Sequence, residues 1–268
     1  MMFMKAKVYD MKGKLTGDIE LPRVFSTRVR DDLILRAFLS TMSRKRQDHG
    51  TDPMAGQRSS AHYHGRRRRV RWTMMGKEMA RMSRLHGKIP GYLMYKARIV
   101  PQSVKGRVAH PPKVEKEWEQ NINKKERQLA IRSAISATKE KVLVESRGHK
   151  VKDIASLPIV VEDGLQKVSK TSELEKFLEV IGLKDELDRI VERKVRSGKG
   201  PSRGNKYRNK VGPLIVVSDD EGVGKAAKNI PGVDISRVEN LSVEYLAPGA
   251  SAGRLTIFTK GAIEKLGA

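Results

Sequence analysis

The segment Ser218-Asp219-Asp220-Glu221-Gly222-Val223-Gly224-Lys225 sets three carboxylates beside a glycine-rich run ending in lysine. Paired carboxylates ligate magnesium, and glycines before a lysine can cradle phosphate. The run falls short of a phosphate loop, which needs four residues between its first glycine and the Gly-Lys pair and then Ser or Thr; here Ala226 follows. Asp219 and Asp220 are therefore expected to cap a short helix, where the macrodipole favours negative charge. The alternative keeps them as ligands of a magnesium-dependent RNA-acting enzyme. No dinucleotide fingerprint occurs in the chain.

Five of the six histidines (His49, His62, His64, His86, His110) fall in one stretch, and His62 and His64 flank Tyr63. A metal site needs three or four ligands, but the chain has no cysteine and few carboxylates stand near these histidines. No metal, cofactor or catalytic group is expected. Imidazoles, Tyr63 and Trp72 among arginines suit stacking on bases and hydrogen bonding to phosphate and ribose, as in looped RNA. The absence of cysteine also excludes disulfides and thiolate nucleophiles and fits a reducing, cytoplasmic location. The longest aliphatic run, Leu214 to Val217, is four residues, against roughly 18 to 20 for a membrane span. Met1 to Lys7 shows no signal-peptide pattern, and no membrane partner is expected.

The formal charge of the 268 residues is +24, with a pI near 10.3, and its distribution is uneven. From Thr41 to His110, seventeen lysines and arginines face only Asp48, Asp52 and Glu78, a net +14. From Arg193 to Lys210 there are eight cations and no acid, so the other 180 residues carry only +2. Charge kept merely for solubility would be spread out. The candidate RNA-binding residues are Arg44, Lys45, Arg46, Arg58, His62, His64, Arg66, Arg67, Arg68, Arg69, Arg71, Trp72, Lys77, Arg81, Arg84, Lys88, Arg98, Lys105, Arg107, His110 and Lys113. A second set is Arg193, Lys194, Arg196, Lys199, Arg203, Lys206, Arg208 and Lys210. The run Arg66 to Arg71 alone would equally suit a nuclear-localisation-like tract, but its surroundings favour RNA.

The long basic window holds eight Ile, Leu and Val in seventy residues, without helical or strand period, so it is expected to be an extended arm ordered by a partner. The Ser197-to-Asn205 stretch has linker composition and reads as a shorter loop. The rest reads as an α/β fold: a single globular domain with a mostly parallel sheet flanked by helices. The expected organisation is a globule of residues 1–43 and 111–268, an arm of 44–110 inserted in it, and a basic loop of 193–212. Ser26 or Thr27 is expected to cap a first helix with Leu33, Ala37, Phe38 and Met42 on one face. Val114 to Thr138 reads as one long helix. Ser172 with Glu175 reads as a capping box for a helix stopped by Gly182. From Leu214 onward strands and helices alternate: Leu214 to Val217, Gly224 to Asn229, Val233 to Ile235, Leu241 to Leu246, Leu255 to Phe258, Ala262 to Leu266.

Several blocks narrow the reading further. These are Val100-Pro-Gln-Ser-Val-Lys-Gly-Arg-Val-Ala-His-Pro-Pro-Lys113, Val114-Glu-Lys-Glu-Trp-Glu119 and Asn123-Lys-Lys-Glu-Arg-Gln-Leu-Ala-Ile-Arg-Ser-Ala-Ile-Ser-Ala-Thr138. Phe25-Ser-Thr27, Arg30-Asp-Asp-Leu-Ile34, Ala55-Gly-Gln-Arg-Ser-Ser60 and Ala80-Arg-Met-Ser-Arg-Leu-His-Gly87 join them. Together they closely resemble the family of large-subunit ribosomal protein four, of the archaeal and eukaryotic type, over essentially the whole chain. The resemblance implies a structural role in the large ribosomal subunit in the cytoplasm, with an extended loop threading through large-subunit rRNA to the wall of the peptide exit tunnel. Implied partners are that rRNA, neighbouring ribosomal proteins including the one numbered twenty-two at the tunnel constriction, and the nascent peptide in passing. The tip departs from the family: where a Gly-Thr-Gly-Arg-Gly run is usual, this chain has Met74-Met-Gly-Lys-Glu78, and Arg66 to Trp72 is extra or substituted material. Met74, Met75, Gly76, Lys77 and Met79 are the implied tunnel-facing residues.

Overall fold

Aliphatic runs such as Ile159 to Val161 and Leu214 to Val217 offer no polar face to water, so strands built from them need cover on both sides. The computed structural model, which describes residues 4–65, 70–152 and 154–267, supplies that cover. The chain divides into two compact units, Met1–Lys45 with Glu119–Ala268, and Arg46–Trp118. The first unit runs β1 (Lys5–Tyr9), β2 (Leu15–Glu20), α1 (Asp31–Arg44), α2 (Lys124–Ala137), α3 (Lys141–Ser146), β3 (Ile159–Val161), α4 (Thr171–Leu178) and α5 (Lys184–Val191). It continues with β4 (Lys194–Val195), β5 (Tyr207–Arg208), β6 (Leu214–Val217), α6 (Val223–Lys228), β7 (Asp234–Arg237), α7 (Val243–Leu246), β8 (Thr256–Thr259) and α8 (Lys260–Gly267).

Six strands form one sheet in the order β2-β1-β3-β8-β6-β7, parallel at every pairing except that of β1 with β2. The mixed α/β fold with a mostly parallel sheet is the one the aliphatic runs imply. Alternation along the strands splits the core in two. Ile159, Val161, Ile215, Val217 and Ile257 enter one cluster with Leu174 and Phe177 of α4 and Val223 and Ala226 of α6. Val160, Leu214, Val216 and Phe258 enter the other, with Ile34 and Ala37 of α1, Ala134 and Ile135 of α2, Leu246 of α7 and Ile263 of α8. No helix among the described residues is long and apolar enough to cross a membrane.

Several expected boundaries move. Ser26 closes a short 3-10 turn, Arg23–Ser26, and α1 starts only after Arg30, whose amide donates to Ser133 Oγ at 2.7 Å. On α1 it is Ile34 that is fully buried, while Met42 is exposed. Helix α2 begins at Lys124 rather than Val114. The reason lies in Trp118, whose ring is taken by the Arg46 guanidinium, 3.6 Å from the ring centroid, and by a stack on His49 at 5.8 Å. No capping box forms at α4: Lys170 is its N-cap residue and no side chain caps it. Gly182 does break the helical run, at φ +95°, which only glycine adopts without strain.

Candidate nucleic-acid interface

The Arg46–Trp118 unit holds itself together without a core. Among its described residues the buried apolar side chains are Ala61 and Met74. Among the described residues its one helical turn is Gly91–Leu93, and backbone hydrogen bonds lace much of the remainder. The Thr51 amide donates to Pro112 O at 3.2 Å, Leu85 to Lys96 O at 3.0 Å and Tyr95 to Leu85 O at 2.9 Å. Arg84 bridges to both His62 and Ala97 in antiparallel fashion. Gly56, at φ +74°, lies so close to Gly106 that a Cβ there would collide with the Gly106 carbonyl. A stretch that composition marks as structureless is thus a string of turns, because isolated bridges need backbone proximity and glycine rather than apolar periodicity.

Its cations divide into two groups. Arg58 pairs with Asp52, Arg84 donates to the carbonyls of Ala80 (3.0 Å) and Tyr95 (2.7 Å), and Arg98 donates to Val104 O at 2.6 Å. Those guanidiniums serve the loop's own backbone. Arg71, Arg81, Lys88, Lys105, Arg107 and Lys113, with His110, are exposed and have no acidic partner among the described residues. Arg44 and Lys45 belong to the other unit, where Lys45 pairs with Glu244 at 2.5 Å. Arg66, Arg67, Arg68 and Arg69 lie outside the described residues. Of the tip residues, Met74 is 5% exposed and packs inside the loop, Met75 is half-buried, and Gly76, Lys77 and Met79 are exposed. Lys77 Nζ donates to the Tyr95 hydroxyl at 2.6 Å.

The fold brings together three imidazoles that adjacency in sequence does not. His62, His64 and His86 present nitrogens all within 4.8 Å of one another, and the Nε2 atoms of His64 and His86 are 2.5 Å apart. Trp72 stacks on His86 with centroids 5.4 Å apart and planes 19° from parallel. Burial and the neighbouring imidazoles push the titrations of His64 and His86 below the ordinary histidine value, so both rings are neutral at pH 7.

The second basic segment is a short antiparallel hairpin rather than a plain loop: β4 pairs with β5, Lys194 opposite Arg208 and Val195 opposite Tyr207. Arg193, Lys194, Arg196, Lys199, Arg203, Lys206 and Arg208 are exposed, and half-buried Lys210 pairs with Glu192 at 2.6 Å. A cleft of about 650 Å³ opens at the hairpin's root, lined by Arg147, Arg189, Lys194, Arg208 and Lys210 with Ser146, His149 and Asn209. Sequence reasoning missed Arg147 and Arg189, which sit outside both basic windows, one after α3 and one in α5. Burial, then the charges of Arg254 and Arg189, pushes the Arg147 guanidinium down to about 10, still cationic at neutral pH. Among the described residues no acidic side chain lines the cleft.

Asp219 and Asp220 are engaged elsewhere. Asp219 Oδ2 accepts from Lys265 Nζ at 2.9 Å, which holds its carboxyl below the usual range. Asp220 Oδ1 accepts from the Gly222 and Gly224 amides at 3.1 and 3.0 Å, capping the start of α6. Asp220 thus takes the helix-capping role expected from the sequence, whereas Asp219, expected to share it, is drawn to Lys265 of α8 instead.

The model of the Ribosomal protein L4/L1 family matches residues 19–268. The chain is 49% identical over 265 residues to the large ribosomal subunit protein uL4 of Nanoarchaeum equitans, covering 98% of this chain and 97% of the relative. It is 46% identical over 264 residues to the uL4 protein of Methanosphaera stadtmanae, covering 98% and 96%. The uL4 protein of Saccharolobus islandicus is 44% identical over 261 residues, covering 97% and 92%. All three relatives are named as ribosomal proteins rather than enzymes.

Proposed function

This chain belongs to the ribosomal protein L4/L1 family, and from that premise we propose that it is a structural protein of the large ribosomal subunit that binds large-subunit rRNA in the cytoplasm. The observation that carries this reading is the set of exposed cations in Arg46–Trp118 with no acidic partner among the described residues. Where rRNA segments crowd together, such cations neutralise phosphates, release counterions and offset the repulsion between strands. Arginine adds planar, bidentate hydrogen bonding to phosphate that a lysine cannot match. The unit's sparse core fits the same role, since RNA supplies the order that apolar burial does not.

The hairpin and the cationic cleft at its root form a second contact, with Arg147 and Arg189 adding to Lys194, Arg208 and Lys210. The arm's tip, with Gly76, Lys77 and Met79 exposed, reaches the exit tunnel beside ribosomal protein twenty-two and meets the passing nascent peptide. The chain has no catalytic role, in keeping with its relatives' names and with the engagement of Asp219 and Asp220 in an ion pair and a helix cap. Sedimentation of the endogenous protein tests the reading. Co-migration with large subunits through a high-salt wash supports it; release as a free protein, or binding to RNA without defined stoichiometry, sinks it.

A further inference from the structure

We propose that His62, His64 and His86 form a binding site for one divalent transition-metal ion of the zinc type, which clips together the two limbs of the basic loop. Three imidazoles are a known zinc donor set, and the fourth tetrahedral position is left for water or an incoming oxygen ligand. The three candidate donor atoms already lie within 4.8 Å of one another. Zinc bonds of about 2.0–2.1 Å in tetrahedral array place nitrogens roughly 3.3 Å apart, so the 2.5 Å pair from His64 and His86 must open by less than ~1 Å.

Two further observations point to a ligand. Nδ1 of His62 lies 3.2 Å from the Ser60 carbonyl, so that nitrogen carries the proton and leaves Nε2 with the lone pair. This imidazole-to-carbonyl bond is the outer-sphere contact that orients metal-binding histidines and fixes their tautomer. The stack of Trp72 on His86 restrains the orientation of that ring, with Trp72 kept at φ +68°, a conformation bulky residues rarely take.

The second observation is where the cluster sits. His62 and Arg84 bridge the two limbs, and His86 follows two residues later, so an ion there would join segments 22 residues apart. The unit has only Ala61 and Met74 as buried apolar residues among those described. Small units without a core are the ones in which a metal contributes folding free energy outright.

The test uses the full chain, stripped with chelator and titrated with Zn²⁺ against a chromophoric competitor, with Co²⁺ absorption as a readout of tetrahedral nitrogen ligation. One ion per chain is expected. His64→Asn and His86→Asn should each weaken binding by at least ~100-fold, the upper end of what loss of even an outer contact costs. His49→Asn and His110→Asn, outside the cluster, should bind as the parent does. Far-ultraviolet dichroism of each variant shows whether the first unit stays folded, and limited proteolysis between Tyr63 and Gly87 reports the clip directly. The proposal is overturned if the folded parent takes up no stoichiometric Zn²⁺, if the His64 and His86 variants bind as tightly as the parent, or if Zn²⁺ leaves proteolysis of the loop unchanged.

Discussion

Nδ1 of His149 lies 2.6 Å from Oε1 of Glu186, and both side chains are fully enclosed. The same carboxylate accepts from Arg189 at 2.6 and 2.8 Å and from the Lys150 amide at 3.0 Å. Burial drives the His149 titration below the ordinary value despite the hydrogen bond to Glu186, so the ring is a neutral donor. Burial alone would raise Glu186, but its hydrogen bonds from Arg189, His149 and Lys150 win and hold it below the usual carboxyl range. The network sits beside the cationic cleft and fixes Arg189 on its wall.

The sign of the pH dependence follows. Well above about pH 6.5, the unperturbed histidine value, neither folded nor unfolded chains protonate at His149, and its full contribution to stability is present. Below that, the unfolded chain takes a proton that the folded one refuses, so stability falls with pH until the depressed folded value is reached. Thermal unfolding of the free protein should therefore drop between about pH 7 and pH 5.5. His149→Asn keeps a donor near Glu186 but cannot titrate, and its melting temperature should change less over the same range. Parallel curves for parent and variant would show that His149 is not the group responsible.

A buried cation ties together the segments before β6, β7 and β8. Arg254, 1% exposed, donates to Gly212 O at 2.8 Å, Tyr245 O at 2.8 Å and Asp234 Oδ2 at 2.6 Å. Arg254→Met takes that donor from three carbonyls, of which Gly232 O keeps the Gly212 amide and Gly212 O and Tyr245 O lose their guanidinium bond, a loss worth about 1–3 kcal/mol for each acceptor left buried and unsatisfied. Asp234, half exposed, returns to water at smaller cost. Arg254→Lys reaches fewer acceptors and should fall between the two. Chemical denaturation measures the order; a Lys variant as stable as the parent would mean that charge, not the guanidinium fork, is what counts.

How far the sequence could be read depended on the signal each element left. The β3, β6 and β8 strands were legible because their aliphatic runs suit only a sheet covered on both faces. The β2 strand left no such signal: as an edge strand its residues are nearly all exposed, so no apolar alternation marks it. Helix α3 was missed because six residues with only Val144 buried show no period. Val114 to Thr138 misled because Trp118 and Ile122 fit helical spacing, whereas Trp118 is stacked under Arg46 and His49. The basic windows were plain in the charge count. Arg147 and Arg189 were invisible there, because they reach the cleft by folding, and His86 joins His62 and His64 for the same reason.

Electrostatics should separate the loop from the rest of the surface. For single-stranded contacts, each phosphate neutralised contributes about 0.7 to the slope of log affinity against log salt. Replacing Arg71, Lys88, Lys105 and Arg107, all exposed, by glutamine should flatten that slope by up to about 3 for large-subunit rRNA. The same change at Lys5, Lys167, Lys176 and Lys228, exposed on the first unit, should do much less. Equal effects from both sets would mean that the uneven charge has no bearing on binding.

The exposed tip gives the sharpest test of the tunnel reading. Gly76 adopts φ +75° within the turn that the Lys77 amide closes on Met74 O at 3.3 Å, and Lys77 and Met79 are exposed beyond it. Met74 is packed inside and Met75 is half-buried, so Met79 is the most exposed methionine of the tip. A flexible apolar thioether beside a cation offers a mixed surface to peptides of any sequence. Photo-crosslinkers at Lys77 and Met79 avoid the left-handed glycine, where a side chain would strain the backbone. On stalled ribosomes they should label the nascent peptide, while one at exposed Lys176 or Lys265 should not. Strong rRNA labelling from Lys77 and Met79 without any nascent-chain product would remove the tunnel contact and leave the rRNA-binding role alone.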